Sequence, residues 1–288
     1  MISKIKNFPI FLYHYIFDGL IDIGMIFNQR KTLGKSFNEC LSIFYDYLKI
    51  NFLFLLSKIF KFNHSKNSPI KILGYKIKFF NYEEIRLLFR EVFVQQTYHF
   101  KTKNDKPFII DCGANTGISV LFFKKIYPKS IVLAFEPNKE TFDVLEENIK
   151  CNNLEDVTLV NAAVYNKEGS LTFYVDSKDA MTSVYNTVDK KWLKDTGNQV
   201  KEILVPCVKL SNFIDKEVDF FKIDIEGAEY EVFPEVEEKL IMINRIGIEY
   251  HCSNGDDSKG PDKLLDILTR NGFKYVITGF INPPIFYD

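Results

Sequence analysis

The sequence predicts an α/β fold: a mostly parallel sheet with helices on both faces, preceded by an apolar helical segment. Three observations carry that expectation. From Pro107 onward, short apolar runs alternate with amphipathic stretches through glycine turns, the pattern of strand, crossover helix and strand. The runs end in Asp, Glu or Asn rather than in further apolar residues. Residues 1–66 differ in texture, being rich in Phe, Ile and Leu at helical spacing, and the polar run Asn63–Pro69 reads as a linker. The expected organisation is a helical extension over 1–66 and a main domain over 67–288, with a hairpin and helix in 67–105 and the α/β core in 106–288.

The elements follow in order. A first helix is expected between Ile10 and Phe27, and a second from Leu41, where Phe44, Tyr45, Leu48, Phe52, Leu55, Leu56 and Ile59 recur at helical spacing. That stripe admits two readings, a cap packed on the main domain or against a second copy, and a helix lying on a membrane surface. Ile70–Phe80 alternates around Gly74 like a hairpin, and Glu83–Val94 has helical periodicity. Strands are expected at Phe108–Asp111, Ile131–Phe135, Val157–Val164, Ser170–Val175, Val218–Ile225 and Ile243–Glu249. Helices are expected at Ser119–Tyr127, Lys139–Asn152, from Ala228, and at Pro261–Asn271. Lys274–Phe280 and Ile285–Tyr287 read as two closing strands around Asn282-Pro283-Pro284.

Composition narrows the function classes. With 288 residues, 46% apolar and 26% charged, the chain has material for one large core plus an appendage. Lys+Arg is 37 against Asp+Glu 38, a net charge of −1, so no basic footprint for nucleic acid exists. The five cysteines, Cys40, Cys112, Cys151, Cys207 and Cys252, are dispersed and lack metal-ligand spacing, which suggests free thiols in a reducing compartment. No sequence stretch reads as a membrane span. The N-terminus imitates a signal peptide, with Lys4, Lys6 and an apolar run from Phe8 to Phe17. It lacks a small-x-small cleavage site and runs on through His14 and Asp18, so a cytoplasmic chain is expected.

Ligands on a parallel sheet bind at the carboxyl ends of its strands. There, Pro107–Gly117 (PFIIDCGANTG) makes a strand ending in Asp111, a turn through Gly113 and a helix entered near Gly117. The dinucleotide fingerprint fails, because Asn115 and Ile118 stand where its second and third glycines belong, and no G-K-[ST] phosphate loop is present. The next strand ends in Glu136-Pro137-Asn138, with the acid placed to accept ribose hydroxyls. A third ends in Asn161-Ala162-Ala163, small enough to admit an adenine, and a fourth in Lys222-Ile223-Asp224-Ile225-Glu226-Gly227-Ala228-Glu229. Those last acids could instead cap a helix or pair with Lys222. Taken together, the strand ends form an acidic mouth that disfavours phosphates and favours a cationic nucleoside. S-adenosylmethionine matches that description.

The runs I-D-C-G-A-N-T-G, A-F-E-P-N, D-F-F-K-I-D-I-E-G-A-E and I-E-Y-H, spread over roughly Glu84–His251, resemble the FkbM family of S-adenosylmethionine-dependent methyltransferases. The resemblance implies a class I, Rossmann-like methyltransferase fold, a seven-stranded sheet whose last strand is antiparallel. It also implies O-methylation of a hydroxyl on a sugar, polyketide or glycolipid. Asp111, Gly113 and Asn115 would then meet the methionine end of the cofactor, Glu136 the ribose, and Asn161 and Ala162 the adenine, with Gly117 and Asn138 completing the set.

Methyl transfer from a sulfonium needs in-line positioning and a base for the acceptor's proton. Asp224 is the first candidate base, with Glu226, Glu249 and His251 in reserve. Asp224 and Glu249 could also hold Mg²⁺, but two acids are thin grounds, so no metal is expected. Tyr98 and His99 are placed as part of a lid, with a Tyr98 simply packed by its ring as the alternative, and Ser183, in the polar stretch Asp176–Tyr185, as a substrate contact. An alternative without catalysis is a scaffold or membrane-surface assembly protein on the same fold.

Overall fold

The computed structural model describes residues 8–61, 68–176, 200–251 and 261–277. Two long helices open it, α1 (Phe8–Thr32) and α2 (Phe37–Phe60). Ser36 starts α2 with a capping box: its hydroxyl accepts from Glu39 N–H and Glu39 Oε2 accepts from Ser36 N–H at 2.8 Å. The hairpin β1 (Ile70–Ile72) and β2 (Tyr75–Ile77) turns through Leu73 and Gly74, both at positive φ. Next comes α3 (Tyr82–Phe89), which widens into a π-helical turn over Arg90–Gln95.

The central sheet is parallel throughout, with order β10-β9-β3-β4-β5 among the described residues. Its strands are β3 (Phe108–Cys112), β4 (Ile131–Phe135), β5 (Val157–Val160), β9 (Phe220–Ile223) and β10 (Ile246–Ile248). The crossover helices α4 (Ile118–Ile126) and α5 (Lys139–Cys151) follow β3 and β4, and α6 (Glu229–Val236) follows β9. Helix α7 (Pro261–Arg270) packs with the α6 side. The strand order reverses between β3 and β9, and a crevice at that switch point is where such sheets take ligands. Side chains alternate across β3: Ile109 joins one core with Phe122, Phe123 and Phe220, whereas Phe108, Ile110 and Cys112 join the other.

A second sheet of order β6-β8-β7 stands apart, made of β6 (Ala163–Tyr165), β7 (Gly169–Asp176) and β8 (Val200–Lys209). Here the sequence reading needs two corrections. Val157–Val164 is two strands in two sheets, because the chain leaves the central sheet at Asn161, and β8 has no counterpart in the reading at all. Of the two closing strands expected, residues 274–277 carry no strand and the remainder lies outside the described residues.

The N-terminal helices share the first core with the sheet rather than forming a separate body. Ile26, Cys40, Ile43, Tyr47, Ile50 and Phe54 pack in it with Phe93 and Phe122. Polar pins reinforce that seam. Asp22, 1% exposed, receives Arg90 Nε at 2.8 Å and the Tyr47 hydroxyl at 2.9 Å. Gln29 donates to the carbonyls of Phe93 and Val94 at 3.0 and 2.9 Å, satisfying carbonyls that the π-turn frees. Of the two readings of the α2 stripe, a packed face and a surface-lying one, the structure leaves it largely on the outer face: Tyr45, Leu48, Phe52 and Ile59 are exposed. By length and composition α2 is also apolar enough to cross a membrane, a feature the reading did not register, yet its opposite face is buried in protein.

Candidate active site

The site begins with a register. In the β3–β9 pair, Asp111 lies beside Lys222, and both point to the face that carries Ile109 and Phe220. The result is an ion pair of 3.2 Å between groups almost wholly buried, with Ser119 donating to the other Asp111 oxygen at 2.6 Å. Lys222 also donates to Gly113 O at 2.8 Å and lies 3.5 Å from Asp224 Oδ2. Burial alone would lower its pKa, but Asp111, Asp224 and Glu91 hold it above the ordinary value. Asp111 is therefore engaged in the interior and does not line the cleft, contrary to the expected contact with the methionine end. The acidic mouth has a cation beneath it.

Gly113 follows at φ +81°, and a Cβ there would fall 1.7 Å from the Asp224 carbonyl oxygen. No other residue type fits where the two chains pass so closely. Gly117, at φ +90°, is required for another reason: its Cβ would meet Leu145 Cδ1 at 2.6 Å, so it serves helix packing rather than the cleft.

The cleft itself encloses about 560 Å³, including its open mouth, and is lined by Gly113, Asn115, Glu136, Ala162, Asp224 and Glu226 among others. Glu136, 6% exposed, is held at both oxygens: Oε2 accepts from Asn115 N–H at 3.1 Å and Oε1 from Asn138 N–H at 2.9 Å. Burial pushes its carboxyl up to about 7 against those two donors. Asn138 reaches the site only through its backbone, since its side chain caps α5. Asn161 likewise supports from behind, its amide donating to the carbonyls of Glu136 and Pro137 at 2.8 and 3.1 Å, while Ala162 is the wall.

Beyond β9 the carboxylates gather. Asp224 and Glu226 line the cleft, and Glu226 and Gly227 both take positive φ, a strained turn of the kind that aims side chains at functional sites. His251 sits among three acids, with Nδ1 3.3 Å from the fully buried Glu229 and Nε2 3.5 and 3.6 Å from Glu226 and Glu249. Burial would lower its pKa, but Glu226, Glu229 and Glu249 hold it well above the ordinary value. Burial likewise raises Asp224 to about 6 despite Lys222, and raises Glu226 well above the carboxylate range. Glu249 goes the other way: burial works to raise it, but the hydrogen bond and charge of His251 prevail and lower it.

Tyr98 is not a lid residue. It is 1% exposed, its hydroxyl donates toward Asp224 Oδ2 at 3.5 Å from beneath, and Lys222 lies 5.1 Å from its ring centre. The structure thus brings together Gly113, Asn115, Glu136, Ala162, Asp224 and Glu226 at one cleft, with His251 and Glu249 adjoining. It keeps Asp111, Gly117, Asn138, Asn161 and Tyr98 behind it. Ser183 lies outside the described residues. The reading had allowed the motif's acids to pair with Lys222, as Asp224 does at 3.5 Å, but it missed Glu91. Lys222 and Glu229 lay within the motif it quoted, and the register and the His251 contact are what reveal their roles. Glu91 comes from the π-turn, where no local signal marks it: burial and the charges of Glu249 and Asp224 push it up to about 8.

With this geometry in place, the comparisons are informative. The Methyltransferase FkbM domain family matches residues 111–275, more than half of the chain. Methyltransferase 1 of Beauveria bassiana is 29% identical over 192 residues, covering 60% of this chain and 76% of that protein. The 31-O-demethyl-FK506 methyltransferase FkbM of Streptomyces tacrolimicus is 27% identical over 234 residues, covering 70% and 87%. Among solved structures, methyltransferase FkbM from Methylobacillus flagellatus KT aligns with a TM-score of 0.41 at 16% identity, over 65% of this chain and 48% of that one, so this chain spans about half of it. The matched segment runs from Asp111 through the Glu136 anchor and the Asp224–Glu229 turn to the last described strand and helix: the chain belongs to the FkbM methyltransferase family and is an S-adenosylmethionine-dependent methyltransferase.

Proposed function

We propose that the chain transfers a methyl group to a hydroxyl of a saccharide, a glycolipid or a related metabolite, with Asp224 accepting the hydroxyl proton. The observation that carries the reading is the convergence of Glu136 with Asp224 and Glu226 on one cleft. Family membership supports catalysis over a purely structural role.

The residues fit the cofactor. No Lys or Arg lines the cleft among the described residues, so a phosphate would find no partner there. Phe135, Ala162, Ala163 and Phe173 offer apolar and small surface for a base. Glu136, pinned by two N–H donors, presents a carboxylate to a ribose diol, and Gly113 and Asn115 border the methionine end. When bound, S-adenosylmethionine supplies an electrophilic methyl that leaves sulfur as the acceptor oxygen bonds to it. The chain's own part is to hold the acceptor in line, a positioning effect worth on the order of 7–11 kcal/mol, and to remove its proton. Asp224 is the carboxylate that both lines the cleft and is steadied from below by Lys222 and Tyr98. Its replacement by Asn should leave cofactor binding in place and cut turnover by roughly 10²–10⁴-fold. Turnover of Asp224→Asn equal to that of the unaltered chain would sink the assignment. The name of the Streptomyces relative, an O-demethyl substrate's methyltransferase, supports oxygen as the acceptor. The acceptor class is tested by incubating the chain with labelled cofactor and glycan and lipid extracts.

We also propose that the chain is cytoplasmic, with the outer face of α2 resting on a membrane. Tyr45, Phe52, Ile59 and Phe60 form its apolar part, and Lys49 and Lys61 are exposed beside them.

A further inference from the structure

Glu91 is a partly buried acid to which positioning and proton removal, as described so far, give no task. The π-turn over Arg90–Gln95 carries it, and that turn is clamped from behind by Asp22 on Arg90 and by Gln29 on the carbonyls of Phe93 and Val94. A carboxyl oxygen of Glu91 lies within 4.8 Å of oxygens from Asp224 and Glu249. One hydroxyl, that of Tyr98, stands among the three acids, and it has a single proton to donate. The nearby cations are divided: Lys222 between Asp111 and Asp224, His251 among Glu226, Glu229 and Glu249. Glu91 Oε1 is sealed from solvent and has no hydrogen-bond partner, so a negative charge is tolerated least there. Carboxyls crowded in this way do not all ionise, and the group retains a proton. Burial and the charges of Glu249 and Asp224 keep that proton on Glu91.

The group adjoins the cofactor cleft. Asp224 lines it, and the Asp224 carbonyl passes so near Gly113, which borders the methionine end, that a Cβ would not fit between them. A positive charge arriving there favours the ionised form of the neighbouring carboxyls. We propose that Glu91 and Asp224, joined through Tyr98, form a proton-exchange pair: they hold a proton while the cleft carries no cation, give it up to solvent when S-adenosylmethionine binds, and take up the acceptor's proton once the methyl group and its positive charge have left the sulfur. The balance closes at each stage. On binding, one positive charge enters and one proton leaves. On transfer, the carbon–sulfur bond breaks as the carbon–oxygen bond forms, and the hydroxyl proton passes to Asp224. That second stage rests on the O-methylation reading with Asp224 as base, whereas the exchange on binding does not.

The test is calorimetric titration of the full chain near neutral pH, once with S-adenosylmethionine and once with S-adenosylhomocysteine. Running each in two buffers of different ionisation enthalpy counts the protons released. The ligands share ribose and adenine, so a proton moved at Glu136 cancels between them, and they differ in the charge at sulfur. The expected result is an excess of roughly half a proton or more released with S-adenosylmethionine. Glu91→Gln, which has no titrating proton, should lose most of that excess. Glu249→Gln removes the neighbouring charge that most raises Glu91 and should shrink it too. Because Glu249 is 46% exposed, its variant should fold even if Glu91→Gln does not. Glu238→Gln, at an exposed position on another element, should release as the unaltered chain does. Each ligand's own amino group titrates alike in chain and variants, so the difference between proteins is the measure. Equal proton release with the two ligands overturns the proposal, and so does an excess undiminished in Glu91→Gln or in Glu249→Gln. A chain that binds both ligands with equal release loses the exchange and keeps the methyltransferase reading. No acceptor enters the titration, so unaltered turnover in Asp224→Asn would remove the base and leave the exchange on binding standing.

Discussion

Replacing Glu136 by Gln probes the cofactor seat with a change of one atom. Each carboxylate oxygen accepts one backbone N–H, so an amide can satisfy Asn115 or Asn138 but not both. The unmatched buried donor costs about 1–3 kcal/mol of stability. The larger effect is on affinity: hydrogen bonds from a ribose diol to a charged group contribute about 1.5–3 kcal/mol each, so losing one weakens binding by roughly 10–150-fold. Burial has raised this carboxyl to about 7, which gives the effect a pH signature. If the ionised form binds the ribose, the dissociation constant should rise about tenfold as pH falls from 8 to 6, and the Glu136→Gln change should abolish that slope. Folding stability runs in the opposite sense. A carboxyl whose pKa is higher folded than unfolded contributes stability that is full below about 4.5 and is lost as pH rises through about 7. Calorimetry of S-adenosylmethionine binding between pH 6 and 8.5, on both proteins, reads these quantities. Equal affinity at pH 8, or an equal pH slope, would show that the ribose lies elsewhere.

Other substitutions test the framework. Gly113→Ala, with φ +81° and a 1.7 Å collision with Asp224 backbone, should cost about 2–5 kcal/mol in thermal unfolding and eliminate cofactor binding. Gly117→Ala meets only the end of a Leu145 side chain and should cost less; the reverse order would contradict the crossing described at Asp224. Lys222→Met leaves Asp111 and Asp224 buried without their cation, with an expected loss of about 3–5 kcal/mol by denaturant unfolding, part of which Asp111→Asn in the same chain should restore. Serine at Tyr45, Phe52 and Ile59 together should reduce co-flotation with anionic liposomes while leaving cofactor affinity intact; unchanged flotation would remove the membrane contact.

The sequence by itself determined the layered architecture from Phe108 to Val160, because alternating apolar strands and amphipathic helices joined by glycine turns leave few other ways to bury their faces. It also determined the chemistry of the cleft at Gly113, Glu136, Asp224 and Glu226, since strand ends are legible from local pattern and the carboxyl edge is where such sheets bind. What local pattern does not hold is register, and register decided the rest. Asp111 lies beside Lys222, 111 residues further along the chain, only because β3 and β9 are neighbours. That adjacency turned an expected ligand contact into a buried ion pair. The outward face of α2 was indistinguishable from its inner one, because the helix is apolar on both, and only packing against α1, α3 and the π-turn chose between them. Glu91 owes its place entirely to tertiary structure: a carboxylate on a widened helical turn, held by Asp22 and Gln29 from another part of the chain, becomes a partner of Asp224 through space alone.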